Sequence, residues 1–184
     1  AVYQGIDLLF HAIPAALRQN PNLYFAVIGG SPEQVDVRQT ALMDAGLAER
    51  VLFPGHIHPD ELPHVLAAAD VLLSPRIAGG NTPLKLLDYL KAGRAIVACD
   101  NPANRLILDE SNARLAAPEP AAFADGVAAL AADAALRERL GAAGHRLYLS
   151  TYNYRQFRQR LSDVYRQLPG PAASPSPSKS TSSS

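Results

Sequence analysis

The feature that most constrains this chain is a set of short apolar runs in which apolar and polar residues do not alternate. "LYFAVIG", "RVLFPG", "DVLLSP", "RAIVAC" and, more weakly, "ARLAAP" are each too short for a helix and are bounded by Gly, Pro, Asn or Asp. A strand that is apolar at every position buries both faces, which predicts a parallel sheet covered on two sides rather than an antiparallel sheet with one wet face. The gaps carry helical patterns: Ile6, Leu9, Phe10, Ile13 and Leu17 form one apolar stripe, and "PDELPHVLAAA" and "TPLKLLDYLKA" fill later gaps. Strand and helix alternate through residue 118, so the expected fold class is α/β, a doubly wound, Rossmann-like parallel sheet with ligands beyond the carboxyl ends of its strands. Pro14 is expected to kink the first helix or to mark a later start for it.

After "ARLAAPEP" three helical patterns follow, and the last sets Tyr154, Phe157, Leu161, Val164, Tyr165 and Leu168 along one face. Residues 169–184 consist of Pro, Ser, Ala, Gly, Thr and one Lys, with nothing to pack, and are expected to be a disordered tail. The 184 residues suit one domain, over 1–168, rather than two. Acidic and basic residues balance at 17 each, so nothing argues for a nucleic-acid surface, and any anion site must be local. Cys99 is the only cysteine, which excludes an internal disulfide framework or a cysteine-rich metal site and suits a reducing, cytoplasmic setting. No apolar run approaches the roughly 20 residues that cross a bilayer. "AVYQGID" has no signal-like core and no initiator Met, which leads to the expectation of a fragment.

"GGNTPLKLLDYLKAG" carries the chemistry. Thr82 suits an N-cap, Pro83 the first helical position and Gly93 the position past the end, predicting a helix over 83–92 with Lys85 in its first turn. A cation there opposes the helix dipole by up to about 1 kcal/mol. One answer is a surface pair with Asp88 three residues on, good for roughly 0.2–0.5 kcal/mol. The other is a bound phosphate, cradled by free N–H groups, by Gly79 and Gly80, and by Lys85 with Arg76 as a second charge. This turn leaves the carboxyl end of a predicted strand, which favours the phosphate. Asp88, one turn deeper, has the chemistry to accept two hydrogen bonds from a ribose diol.

With "YQGIDLLFHAI", "LYFAVIGG", "RVLFPGHI", "ELPHVLAAADVLLSPR", "NTPLKLLDYLKAGRAIVACD" and "TYNYRQFRQRLSDVYRQL" in this order, the chain resembles, over roughly residues 3–168, the carboxyl-terminal donor-binding domain of GT-B glycosyltransferases of the group 1 (family 4) type. The family carries two glutamates with seven residues between them around a glycine-rich turn. The second position is Asp88, which the resemblance assigns to the ribose, and the first is Gly80, so the acid that contacts the donor sugar is absent. "NTPLK" looks like a branch in which Asn81, Thr82 and Lys85 occupy that turn. The family's basic pair for the diphosphate has no match here, since Gln4 stands at one position and the other lies upstream, and Arg76 and Lys85 are the proposed substitutes. The base is expected beside Gly55, His56 and Ile57.

The resemblance implies glycosyl transfer from a nucleotide diphosphate sugar such as a UDP or GDP sugar, with retained configuration and no essential metal or other cofactor. It also implies an amino-terminal domain that binds the acceptor, through which any peripheral membrane association would run, and which the closing helix packs back toward. The domain's first strand, central in the 3-2-1-4-5-6 order, is expected to be absent as well, leaving two unpaired sheet edges. Three other readings stay open. "HIHPDELPH" gathers His56, His58, Asp60, Glu61 and His64, which invites a metal. "VIGGSPEQ" with Asp100 invites a nicotinamide nucleotide, though without the three-glycine spacing. A truncated, non-catalytic remnant or scaffold is the third.

Overall fold

The computed structural model describes residues 5–79, 81 and 83–167. The expectations for Gly80, Thr82, Leu168 and the 169–184 tail therefore lie outside the described residues. In chain order the elements are α1 (Ile6–Gln19), β1 (Phe25–Ile28), α2 (Pro32–Asp44), β2 (Val51–Gly55), α3 (Leu62–Ala68), β3 (Val71–Ser74), α4 (Lys85–Ala92), β4 (Ala95–Cys99), β5 (Arg114–Ala116), α5 (Pro120–Ala132), α6 (Ala134–Leu147) and α7 (Tyr154–Gln167). All five predicted strands form, and every pairing is parallel.

The reason for the missing polar alternation is visible in β4, which is buried at all five positions. Ala95, Val97 and Cys99 pack into one apolar layer with α1 and α5. Ile96 and Ala98 pack into another, with Leu66 of α3 and Leu86 and Leu90 of α4. Successive side chains alternate between two dry layers, so the strand reads as one apolar run.

Among the described residues the sheet is in two pieces, β1–β2 and β3–β4–β5. Between the facing edges of β1 and β3 lies a slot of about 750 Å³, walled by Phe25–Ile28 and Val71–Leu73 and capped by Leu9, Val127, Leu66 and Tyr89. Among the described residues neither of these facing edges is paired, as the resemblance predicts. Gly5, at φ 69°, starts α1 hard against the carboxyl end of β3, where a Cβ would stand 1.8 Å from the Pro75 carbonyl oxygen. The chain thus enters α1 at the same edge of the sheet where β3 ends.

Pro14 lies inside an unbroken α1, so the helix does not start later than the apolar stripe indicates. What the proline removes is the N–H that would bond the Phe10 carbonyl. The pattern of α2 is weak because only Leu42 is buried. Its start is marked instead by a capping box, in which Ser31 accepts the Gln34 N–H and the Gln34 side chain accepts the Ser31 N–H. The apolar stripe of α7 is not covered: Tyr154, Phe157, Leu161, Val164 and Tyr165 are all exposed. Among the described residues no helix is long and apolar enough to cross a membrane.

Candidate functional site

The site is built where β3 and β4 end. The regular part of α4 begins at Lys85, two residues later than the caps predict, because the preceding turn is tighter than a helix. The Leu86 N–H bonds Pro83 O at 2.9 Å and the Leu87 N–H bonds Leu84 O at 2.9 Å, both of the i to i+3 kind. Gly93, at φ 68°, ends the helix as expected.

Lys85 does not make the surface pair with Asp88. No ion pair joins them among the described residues, and Asp88 is exposed while Lys85 turns inward to line the mouth of the slot. Burial pushes the Lys85 ammonium below its ordinary pKa, and the Arg76 guanidinium pushes it the same way. Two cations therefore sit together beside the start of a helix.

Arg76 follows β3 by two residues and folds back over its own loop, its Nε donating to Ala78 O at 2.8 Å. Gly79 makes room for it. At φ 122° its position suits glycine, and a Cβ there would fall 2.0 Å from Arg76 Nη2. Of the predicted cradle, Gly79 lies against the Arg76 guanidinium, Arg76 is within electrostatic reach of Lys85, and Asn81 is exposed.

A second set of residues, which the sequence reading missed, stitches the strand ends to each other. The Cys99 thiol donates to Pro75 O at 3.3 Å. The Asn101 amide nitrogen donates to Arg76 O at 2.6 Å, and the Asn101 oxygen accepts the Asn104 N–H at 3.0 Å. Asn104 donates to Cys99 O at 2.7 Å. "DNPAN" directly after a strand, with two asparagines three apart around a proline, was the available signal.

The predicted base loop follows β2. Gly55 has φ 76°, His56 is exposed and Ile57 is half-buried. His58 accepts the Asp60 N–H on its Nδ1 at 3.3 Å, and no group of three His, Cys, Asp or Glu gathers to hold a metal among the described residues. Asp100, the acid of the nicotinamide reading, is engaged by Arg105, whose hydrogen bond holds its carboxyl below the usual range. Arg105 also bonds Glu110 at 2.8 Å.

Comparison with known proteins fits this geometry. The model for "Glycosyl transferases group 1" matches residues 1–133. A phosphatidyl-myo-inositol mannosyltransferase of Mycobacterium leprae is 29% identical over 143 residues, which is 77% of this chain and 37% of that protein. A GDP-mannose-dependent alpha-(1-6)-phosphatidylinositol monomannoside mannosyltransferase of Mycolicibacterium smegmatis is 30% identical over 173 residues, 88% of this chain and 44% of that protein. The chain thus spans less than half the length of these curated relatives.

Among solved structures, Anabaena HepE in complex with UDP superposes with a TM-score of 0.81 at 18% identity, covering 91% of this chain and 46% of that one. The carboxyl-terminal domain of a group 1 glycosyl transferase (LpcC) from Francisella tularensis superposes with a TM-score of 0.73 at 24% identity, covering 84% of this chain and 82% of that one. The fold is that of a GT-B half-domain, and the nicotinamide reading falls with the family match. The chain belongs to the group 1 glycosyl transferases.

Proposed function

We propose that this chain is the donor-binding half of a glycosyltransferase and holds the diphosphate of a nucleotide sugar against Arg76, Lys85 and the turn that opens α4. The observation that carries the reading is Lys85. A half-buried ammonium beside a guanidinium, with no carboxylate in ion-pairing reach among the described residues, is stabilised when an anion arrives. Negative charge that develops on a departing diphosphate would meet the same two cations, an electrostatic form of catalysis that needs no metal.

Asp88 is accessible on the outer face of α4 for a ribose, and the loop of Gly55, His56 and Ile57 is accessible for a base. Gly80 in place of the family's first acid leaves the sugar to be held by other groups, with Asn81 and Thr82 nearest in sequence. A preceding domain would bind the acceptor and supply any membrane contact. Retained configuration and a cytoplasmic setting belong to the same proposal.

The test is calorimetric titration of the chain with UDP, GDP and ADP, beside Lys85→Ala and Asp88→Ala. UDP is bound in one structural neighbour and GDP-mannose is named for one relative, so both bases belong in the set. The expected result is saturable binding of one nucleotide, weakened by both substitutions. A folded chain that binds none of the three sinks the proposal and leaves a non-catalytic scaffold.

A further inference from the structure

Arg76 lies in a loop: β3 ends at Ser74, and no helix or sheet ladder fixes the backbone at residue 76. Its carbonyl accepts a hydrogen bond from a side chain 25 residues away. Asn101 is buried, 7% exposed, and its amide is used at both ends. Its nitrogen donates to Arg76 O at 2.6 Å and to Cys99 O at 3.3 Å, while its oxygen accepts the Asn104 N–H at 3.0 Å. One amide therefore joins the loop after β3, the last residue of β4 and the turn that follows it.

The guanidinium end of Arg76 bonds Ala78 O and packs over Gly79 within the same loop, so its position follows that of the loop backbone. Burial is the main reason the Lys85 pKa is lowered, and repulsion from Arg76 adds to it; on a free loop Arg76 would swing toward water. Holding two like charges within electrostatic reach of each other before a ligand arrives requires a scaffold that does not relax.

We propose that Asn101 is a positioning residue of the anion site, its donor bond to the Arg76 carbonyl holding the guanidinium beside Lys85. The inference rests on the reading of that site as the diphosphate site. It assigns a specific task to the donor half of the Asn101 amide. The acceptor half has a different one, accepting the N–H of Asn104 where the short turn Asn104–Leu106 begins.

The two halves can be separated. Asn101→Asp keeps an acceptor for the Asn104 N–H and removes the donor, whereas Asn101→Leu removes both without adding charge. Each is made alone and in an Arg76→Ala background, checked for folding by thermal melt, and titrated with inorganic pyrophosphate and with UDP, GDP and ADP. In the otherwise native chain both substitutions are expected to weaken pyrophosphate and the preferred nucleotide by about ten-fold, the loss of one buried hydrogen bond. In the Arg76→Ala background the loss from Asn101→Leu should vanish, because there is no guanidinium left to position.

Folded variants that bind like the native chain overturn the inference while leaving the anion site intact. An undiminished loss from Asn101→Leu in the Arg76→Ala background also overturns it, since it shows general damage rather than positioning. A folded native chain that binds neither pyrophosphate nor any nucleotide removes the site itself, and the inference with it.

Discussion

A strand supplied to the slot between β1 and β3 should stabilise the chain substantially. A five-residue strand is about 16 Å long at roughly 3.3 Å per residue; with about 4.8 Å between strands and 10 Å between layers it fills about 800 Å³. The slot measures about 750 Å³. Its roof is Leu9 of α1 with Val127 and Ala131 of α5, and its floor is Val65 and Leu66 of α3 with Tyr89 of α4, so side chains pointing either way would be buried. Five Val- or Ile-sized side chains contribute roughly 7–15 kcal/mol on burial. Ordering five residues costs about 7 kcal/mol. The balance is a gain between about 0 and 8 kcal/mol before ladder bonds on two edges add to it, and at its midpoint of about 4 kcal/mol it raises Tm by roughly 10 °C for a chain of this size.

The perturbation is to fuse a five-residue apolar strand ahead of Ala1, with a Ser/Gly five-residue segment as control. Gly5 stands at the carboxyl end of β3, and residues 1–4 span up to about 13 Å, enough to connect a strand parallel to β1 and β3 with α1. Melting is followed by calorimetry, and the oligomeric state by ultracentrifugation, because open strand edges invite association. Equal Tm for the apolar and Ser/Gly fusions, both monomeric, would refute the reasoning: the slot would then be a crevice that strands do not enter.

Three further outcomes follow from the site. Gly79→Ala forces a Cβ into the Arg76 guanidinium at an unfavourable φ; it should lower stability by about 1–3 kcal/mol and weaken pyrophosphate binding, and a variant with native melting and native affinity would contradict this. Because burial lowers the folded-state pKa of Lys85, the unfolded chain binds that proton more tightly, and stability should rise with pH from the lowered value toward 10.5. Lys85→Met should flatten that rise in melts between pH 8 and 10.5, and parallel curves for the two proteins would speak against a buried ammonium. Burial pushes the Cys99 thiol up to about 12, so a thiol reagent at pH 8 should label it only as fast as the chain opens; immediate stoichiometric labelling of folded protein would be inconsistent with its place in β4.

β4 was legible because burial on two faces leaves its mark in the run itself, as its five buried positions show, whereas β1 and β2 are apolar runs in which alternate positions stay exposed. Gly93 was legible for the same local reason, a left-handed residue ending a helix. The direction of Lys85 was not: spacing along α4 offers Asp88 at i+3, but the competing environment at the end of β3 exists only in three dimensions. The Asn101 bond to Arg76 spans 25 residues and depends on the neighbouring β3 and β4 ending at the same edge, which no local pattern encodes. The capping box of α2 was readable as Ser31 with Gln34, yet a helix with one buried residue gives too little periodicity to draw attention to its start.

The division of the sheet has a consequence for how a nucleotide would be measured. The loop after β2 belongs to one piece and the turn after β3 to the other, with the slot between them. A ligand that touches both is gripped as by the jaws of a caliper, and whatever lies in the slot sets the gap. Affinity for a nucleotide, relative to pyrophosphate alone, then becomes a ruler for the spacing of the two pieces, and filling the slot should change the first far more than the second.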